Sequence, residues 1–280
     1  MKQVRTGQQT AALHERLFAM LRNTLTAITL AGLAVLLASP ASAADLKAGV
    51  SAGPYGDILK FAADIAAKEG INVKVIEFTD WTLPNAALAQ KDLDFNHFQH
   101  RPYLANQNAQ RGWNLVPVAP SVLVPFALYS KKIETLADVK SGASVAIPND
   151  PSNGARALQL LEKGGLIKLA PEAGQKATVA DISDNSKKLK FTEIDAAQLP
   201  RALDDVDIGV VPLNYALASG LNPKVSLLSE GADSQWGLWF VTRNDNKDDP
   251  NIRRYIEIVR SPETKEFILK RFEGTIIPTW

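Results

Sequence analysis

The chain has 280 residues, a formal charge of +1 and no cysteine. The missing cysteines exclude disulfides, thiolate metal sites and a cysteine nucleophile. The near-neutral charge gives no electrostatic case for binding nucleic acid or an anionic membrane.

Residues 1–43 read as a secretory signal peptide. Lys2, Arg5, Arg16 and Arg22 form a basic leader, Leu25 to Ala38 is strongly apolar, and Ser39-Pro-Ala-Ser-Ala43 is a small-residue cleavage site. The apolar run is short for spanning ~30 Å of hydrocarbon, so removal is expected rather than anchoring, with no membrane insertion of the mature chain. A start at Met20 would give a more compact leader. Losing those four basic residues and Glu15 takes the formal charge from +1 to −2. His14 goes with the leader, which leaves His97 and His100 as the histidines of the mature chain.

After the leader, Leu46–Ser51 reads as a buried strand, and Gly53-Pro-Tyr-Gly56 as a turn. Asp57–Glu69 carries Ile58, Leu59, Ala62, Ile65 and Ala66 at helical spacing, Gly70 is a natural stop, and Ile71–Phe78 alternates as a second strand. A βαβ unit of this kind implies a parallel sheet with right-handed crossovers. The grammar returns with a strand at 143–147, a capping turn Pro148–Gly154 and a helix over 155–163. A strand at 208–212 follows, then a helix to Ala218, a strand at 238–243 and helices at 250–259 and 263–271. Tyr129–Lys132 and Glu230–Gln235 read as connectors. The pattern predicts an α/β protein of two lobes joined by two crossings. The first lobe takes residues 44–128, the second 129–230, and 231–280 return to the first. Ligand is expected between the lobes, at the C-terminal ends of strands.

One segment stands apart. Leu93-Asp-Phe-Asn-His-Phe-Gln-His-Arg-Pro-Tyr-Leu104 is too polar for an ordinary core, where buried polar groups need partners. It reads as a cleft wall, with aromatic faces for contact and placed polar groups for orientation. Trp81, directly after a strand, is the leading pocket aromatic, and Trp236 is a further one. Asn149–Arg156 lies between a strand and a helix. Free N–H groups at the helix start and the planar Arg156 fork favour a ligand carboxylate; a capped helix with a solvated Arg156 is the other reading. On a helix, His97 and His100 would share a face, so a metal site is an alternative, though the ligand set is poor. No nucleophile elbow, P-loop, dinucleotide fingerprint or zinc-protease motif is present, and no cofactor is expected. A secreted enzyme on the same fold is the remaining alternative.

These residues together resemble the methionine-binding (MetQ/NlpA-type) substrate-binding proteins of bacterial ABC importers. The resemblance runs from about Lys47 to Trp280. It is carried by Thr82-Leu-Pro-Asn-Ala-Ala-Leu88, Asp94–Leu104, Tyr129-Ser-Lys-Lys132, Val145–Asn153, Ala197–Asp204 and Asn214-Tyr-Ala216. It implies a two-lobed type II periplasmic binding protein that captures methionine or a related small amino acid or organic acid. Delivery would be to a membrane permease and its ATPase. By position, Trp81, Phe98, His100 and Tyr103 would form the side-chain pocket, and Arg156 would hold the ligand carboxylate. Asn153 would support that turn, and Asn214 would face them. The family's lipid-bearing cysteine is absent, so the resemblance combined with this sequence implies a soluble periplasmic form. Pro212 and Leu238 stand where the family commonly has asparagine. Arg156→Ala is expected to weaken binding by roughly 1.5–3 kcal/mol with the fold intact.

Overall fold

The structure, a computed structural model, describes residues 44–280; the expected leader lies outside the described residues. The elements in chain order are β1 (Ala44–Ser51), α1 (Pro54–Ala67), β2 (Ile71–Phe78), α2 (Leu83–Ala89), β3 (Phe95–His100), α3 (Arg101–Arg111), β4 (Leu115–Pro120) and β5 (Val122–Leu123). Next come β6 (Phe126–Tyr129), β7 (Ser144–Pro148), α4 (Pro151–Lys163), β8 (Lys168–Leu169), β9 (Ile182–Asp184), β10 (Lys190–Ile194) and α5 (Leu199–Ala202). The chain finishes with β11 (Ile208–Pro212), α6 (Leu213–Ala218), β12 (Leu228–Ser229), β13 (Leu238–Arg243), α7 (Pro250–Val259), α8 (Pro262–Arg271) and β14 (Ile277–Pro278).

The βαβ unit read from the sequence is present, with β1 and β2 parallel from Ala44↔Ile71 to Ser51↔Phe78. Pro54 enters the first turn of α1, where its missing N–H costs no helix bond. The first sheet has the order β2-β1-β3-β13-β4, and β13 runs antiparallel to both neighbours. Its core packs Val50, Phe95 and Phe240 against Ile58 and Leu59 of α1 and Tyr255 of α7. The second sheet has the order β10-β7-β11-β6-β12. Val145, Ile147, Ile208 and Val210 pack there against Leu158 and Leu161 of α4. The protein is thus α/β with two sheet-containing lobes.

The chain first crosses between lobes at Ser121–Pro125, ahead of the expected connector Tyr129–Lys132. Phe126–Tyr129, which straddles residue 128, pairs antiparallel with β11 from Pro212↔Phe126 to Gly209↔Tyr129. All four of its residues are buried, so it belongs to the second sheet. The return crossing is Glu230–Gly237, between β12 and β13. The C-terminal ends of β1, β3, β7 and β11 deliver Gly53, His100, Asp150 and Asn214 to the gap between the sheets, where open α/β folds hold ligands.

Candidate functional site: the cleft between the lobes

His100 ends β3 and caps α3. Its Nδ1 accepts a hydrogen bond from the Tyr103 backbone N–H at 3.2 Å. The other ring nitrogen, Nε2, meets Asn153 Oδ1 of the second lobe at 2.9 Å. Asn153 is oriented by Asp150, the N-cap of α4, whose carboxylate accepts from the Asn153 backbone N–H and from its Nδ2, each at 3.0 Å. With Nδ2 donating to Asp150, Oδ1 is the atom turned to His100, so Nε2 carries the imidazole proton. The two lobes are therefore joined by a neutral histidine. Burial and, less strongly, the nearby Arg156 guanidinium push the His100 pKa down to about 3.

Arg156 lies three residues beyond Asn153 on the same face of α4. Its side chain is 2% exposed. Glu230, in the return crossing, accepts from Nε at 2.8 Å and from Nη2 at 2.5 Å. The Val124 carbonyl in the first crossing accepts from Nη2 at 2.9 Å. Phe126 lies beneath the guanidinium, 3.9 Å from ring centre to Cζ, and its backbone N–H donates to Glu230 at 2.9 Å. One guanidinium thus ties both crossings to α4, and Nη1 is the nitrogen left without a partner among the described residues.

Trp81, Phe98, His100, Tyr103, Asn153, Arg156 and Asn214 all line one cavity of about 20 Å³. The Trp81 ring packs against Tyr215 of the second lobe, 5.2 Å between centroids, and the Tyr103 hydroxyl donates to the Trp81 carbonyl at 2.9 Å. Asn214 is fully buried, and neither its Oδ1 nor its Nδ2 has a partner among the described residues. Trp81 Nε1 is likewise buried without a partner. Gly53, at φ 117°, is pressed against Asn214, whose carbonyl would lie 3.0 Å from any added Cβ.

Trp236 is placed elsewhere. It is outside the cavity lining, with its ring edge-on to His100 at 4.9 Å and 5.7 Å from the Arg156 guanidinium carbon. It supports those two side chains from behind. Gln99, within the segment read as a cleft wall, and Leu238, where the family commonly has asparagine, join the lining, which is completed by Tyr55, Val124 and Phe126, not singled out from the sequence. Tyr55 was findable, because it follows the turn at the C-terminal end of β1. Val124 and Phe126 lie in and just after the first crossing, where no local sequence pattern marks a cleft wall.

The histidine pair does not form a metal site. His97 and His100 lie on a strand, where positions three apart face opposite sides. The His97 ring stacks on Phe240 at 4.6 Å and meets Tyr55 edge-on, with neither nitrogen partnered. Burial holds its pKa down to about 3. Among the described residues, no three His, Cys, Asp or Glu side chains converge as a metal-holding group. The remaining polar residues of β3 satisfy one another. Asn85, Asn96 and Gln99 share side-chain hydrogen bonds of 2.6–2.9 Å, which fasten α2 to the sheet.

Residues 46–280 match the NlpA lipoprotein family. The chain is 44% identical over 238 residues to outer membrane lipoprotein 3 of Mannheimia haemolytica, covering 84% of this chain and 90% of that protein. It is 42% identical to the D-methionine-binding lipoprotein MetQ of Escherichia coli O157:H7, covering 84% and 88%. Among solved structures, a nutrient binding protein from Burkholderia cenocepacia bound to methionine is 46% identical, with a TM-score of 0.81 over 84% of this chain and all of that one. A residue-level match across essentially the whole described chain, on the same two-sheet framework, means that this chain belongs to the NlpA lipoprotein family.

Proposed function

We propose that this is a periplasmic substrate-binding protein of an ABC importer, which captures methionine or a related small amino acid or organic acid and hands it to a membrane permease driven by an ATPase. Supporting relatives are named D-methionine-binding lipoproteins, and one related structure is described as bound to methionine. The sequence has no cysteine to carry a lipid, which supports a soluble form of the mature chain.

The observation that carries this reading is the convergence, on one buried cavity, of side chains from the strand ends of both lobes. Trp81, Phe98 and Tyr103 would enclose the ligand's apolar tail. Arg156 Nη1 would take its carboxylate, with the rest of the fork held by Glu230. Asn214 would meet the polar end. The His100–Asn153 bond would close the lobes over the ligand, with Trp236 backing both His100 and Arg156. Opening would be a hinge motion at the two crossings.

The test is calorimetric titration of the mature protein with both enantiomers of methionine and with small carboxylic acids of the same tail. One-to-one binding of at least one of them is expected. Binding of none would remove this assignment.

A further inference from the structure

Three side chains on the cavity wall leave polar atoms unpaired, and together they describe a ligand. Asn214 is fully buried with both amide atoms unpartnered, and Trp81 Nε1 is in the same condition. Arg156 keeps Nη1 after Glu230 and Val124 have taken Nε and Nη2. Nη1, Nδ2 and Nε1 only donate; Oδ1 of Asn214 only accepts. The Tyr55 hydroxyl on the same wall is kept protonated by burial and can donate or accept. No lining side chain carries a carboxylate, since Glu230 stands behind Arg156 and outside the cavity.

The complementary ligand offers several acceptors and a single donor. A carboxylate supplies the acceptors. An α-ammonium would bring three donors and a positive charge to a wall that holds a guanidinium, lacks a carboxylate and offers Asn214 Oδ1 and the Tyr55 hydroxyl as acceptors, and closing the cleft would leave its N–H groups short of partners. A hydroxyl brings one donor and no charge. Asn214 presents its donor and acceptor side by side, which matches a carboxylate oxygen next to a hydroxyl on the adjacent carbon. Resting on the binding reading above, we infer that the cavity selects a 2-hydroxy acid with an apolar tail over the amino acid of the same skeleton.

The experiment compares 2-hydroxy-4-(methylthio)butanoate, methionine and 4-(methylthio)butanoate by calorimetry on the mature protein, using both enantiomers of the first two. The hydroxy acid should bind at least about tenfold more tightly than either of the others, the scale of one well-made hydrogen bond. In Asn214→Leu its advantage over 4-(methylthio)butanoate should vanish, a ratio that general loss of packing would not move. In Asn214→Asp, the added carboxylate should turn the preference toward methionine. Methionine binding to the wild-type protein as tightly as the hydroxy acid overturns this inference and leaves the binding function standing. Failure of all three acids to bind overturns the function and this inference with it.

Discussion

Two sets of side chains on the cavity wall differ in how their polar atoms are paired. In one set each polar side chain has a protein partner, with Nη1 of Arg156 left over. Asp150 holds Asn153, Asn153 meets His100, and Glu230 and Val124 hold Arg156. In the other set, both amide atoms of Asn214 and Nε1 of Trp81 are buried with no partner among the described residues. A buried polar group without any partner costs about 1–3 kcal/mol, so the unpaired atoms favour a ligand or a water that can bond them. The paired set serves architecture as well as binding; the unpaired set keeps its polar atoms for binding.

Mutation should separate the two sets, and the largest effect is at Arg156. Removing it strands Glu230, whose side chain is only 8% exposed. The sequence-based expectation of an intact fold therefore needs revision: Arg156→Ala should destabilise by about 3–5 kcal/mol, the range for breaking a buried pair, measured by denaturant unfolding. Substituting both members, Arg156→Met with Glu230→Gln, should restore much of that stability without restoring ligand affinity. A loss below 1 kcal/mol in the single variant would place Glu230 in water and undo the contrast.

The buried histidines give a pH dependence of known sign. Both are neutral in the fold, with pKa values held near 3, while the unfolded chain takes up protons below about 6.5. Their stabilising contribution is complete above pH 6.5 and falls as the pH drops toward 3, by up to about 1.4 kcal/mol per pH unit for each. His97→Phe should remove one of these contributions and leave ligand binding in place, because His97 lies in the apolar core between Tyr55 and Phe240. An unchanged pH slope in that variant would contradict its burial as a neutral ring.

A smaller effect is expected at Gly53. An alanine there must hold φ 117° and meet the Asn214 carbonyl at 3.0 Å across the cleft. Gly53→Ala should cost about 1 kcal/mol in stability, as for strained backbone, and should also weaken affinity, because closure brings that contact together. Loss of stability with full affinity would show that the two lobes do not close on this turn.

The parts of the fold legible in the sequence were those whose neighbours in the chain are also their neighbours in space. Gly53-Pro54, the apolar spacing of α1 and Gly70 announced the first βαβ unit, and Asp150 and Pro151 announced α4. β3 broke the pattern, because the Asn85–Asn96–Gln99 network supplies partners that let polar side chains lie in a sheet core. Reading the histidine spacing on a helix put both rings on one face; the strand separated them. Arg156 was legible as a residue of the cleft wall, but Glu230 was not legible as its internal partner, since 74 positions separate them and no local pattern links the two. The cleft walls followed from strand ends, whereas the hinge depended on pairings that only the assembled sheets define.

The most direct test of the account is native mass spectrometry of the wild-type protein and Asn214→Leu, each incubated with the same panel of small acids. The account predicts one acid per wild-type chain, a greatly reduced adduct on the variant, and variant stability equal to or above wild type, because its unpaired amide is gone. The same adduct at the same abundance on both proteins, or a variant that unfolds more readily, would contradict it.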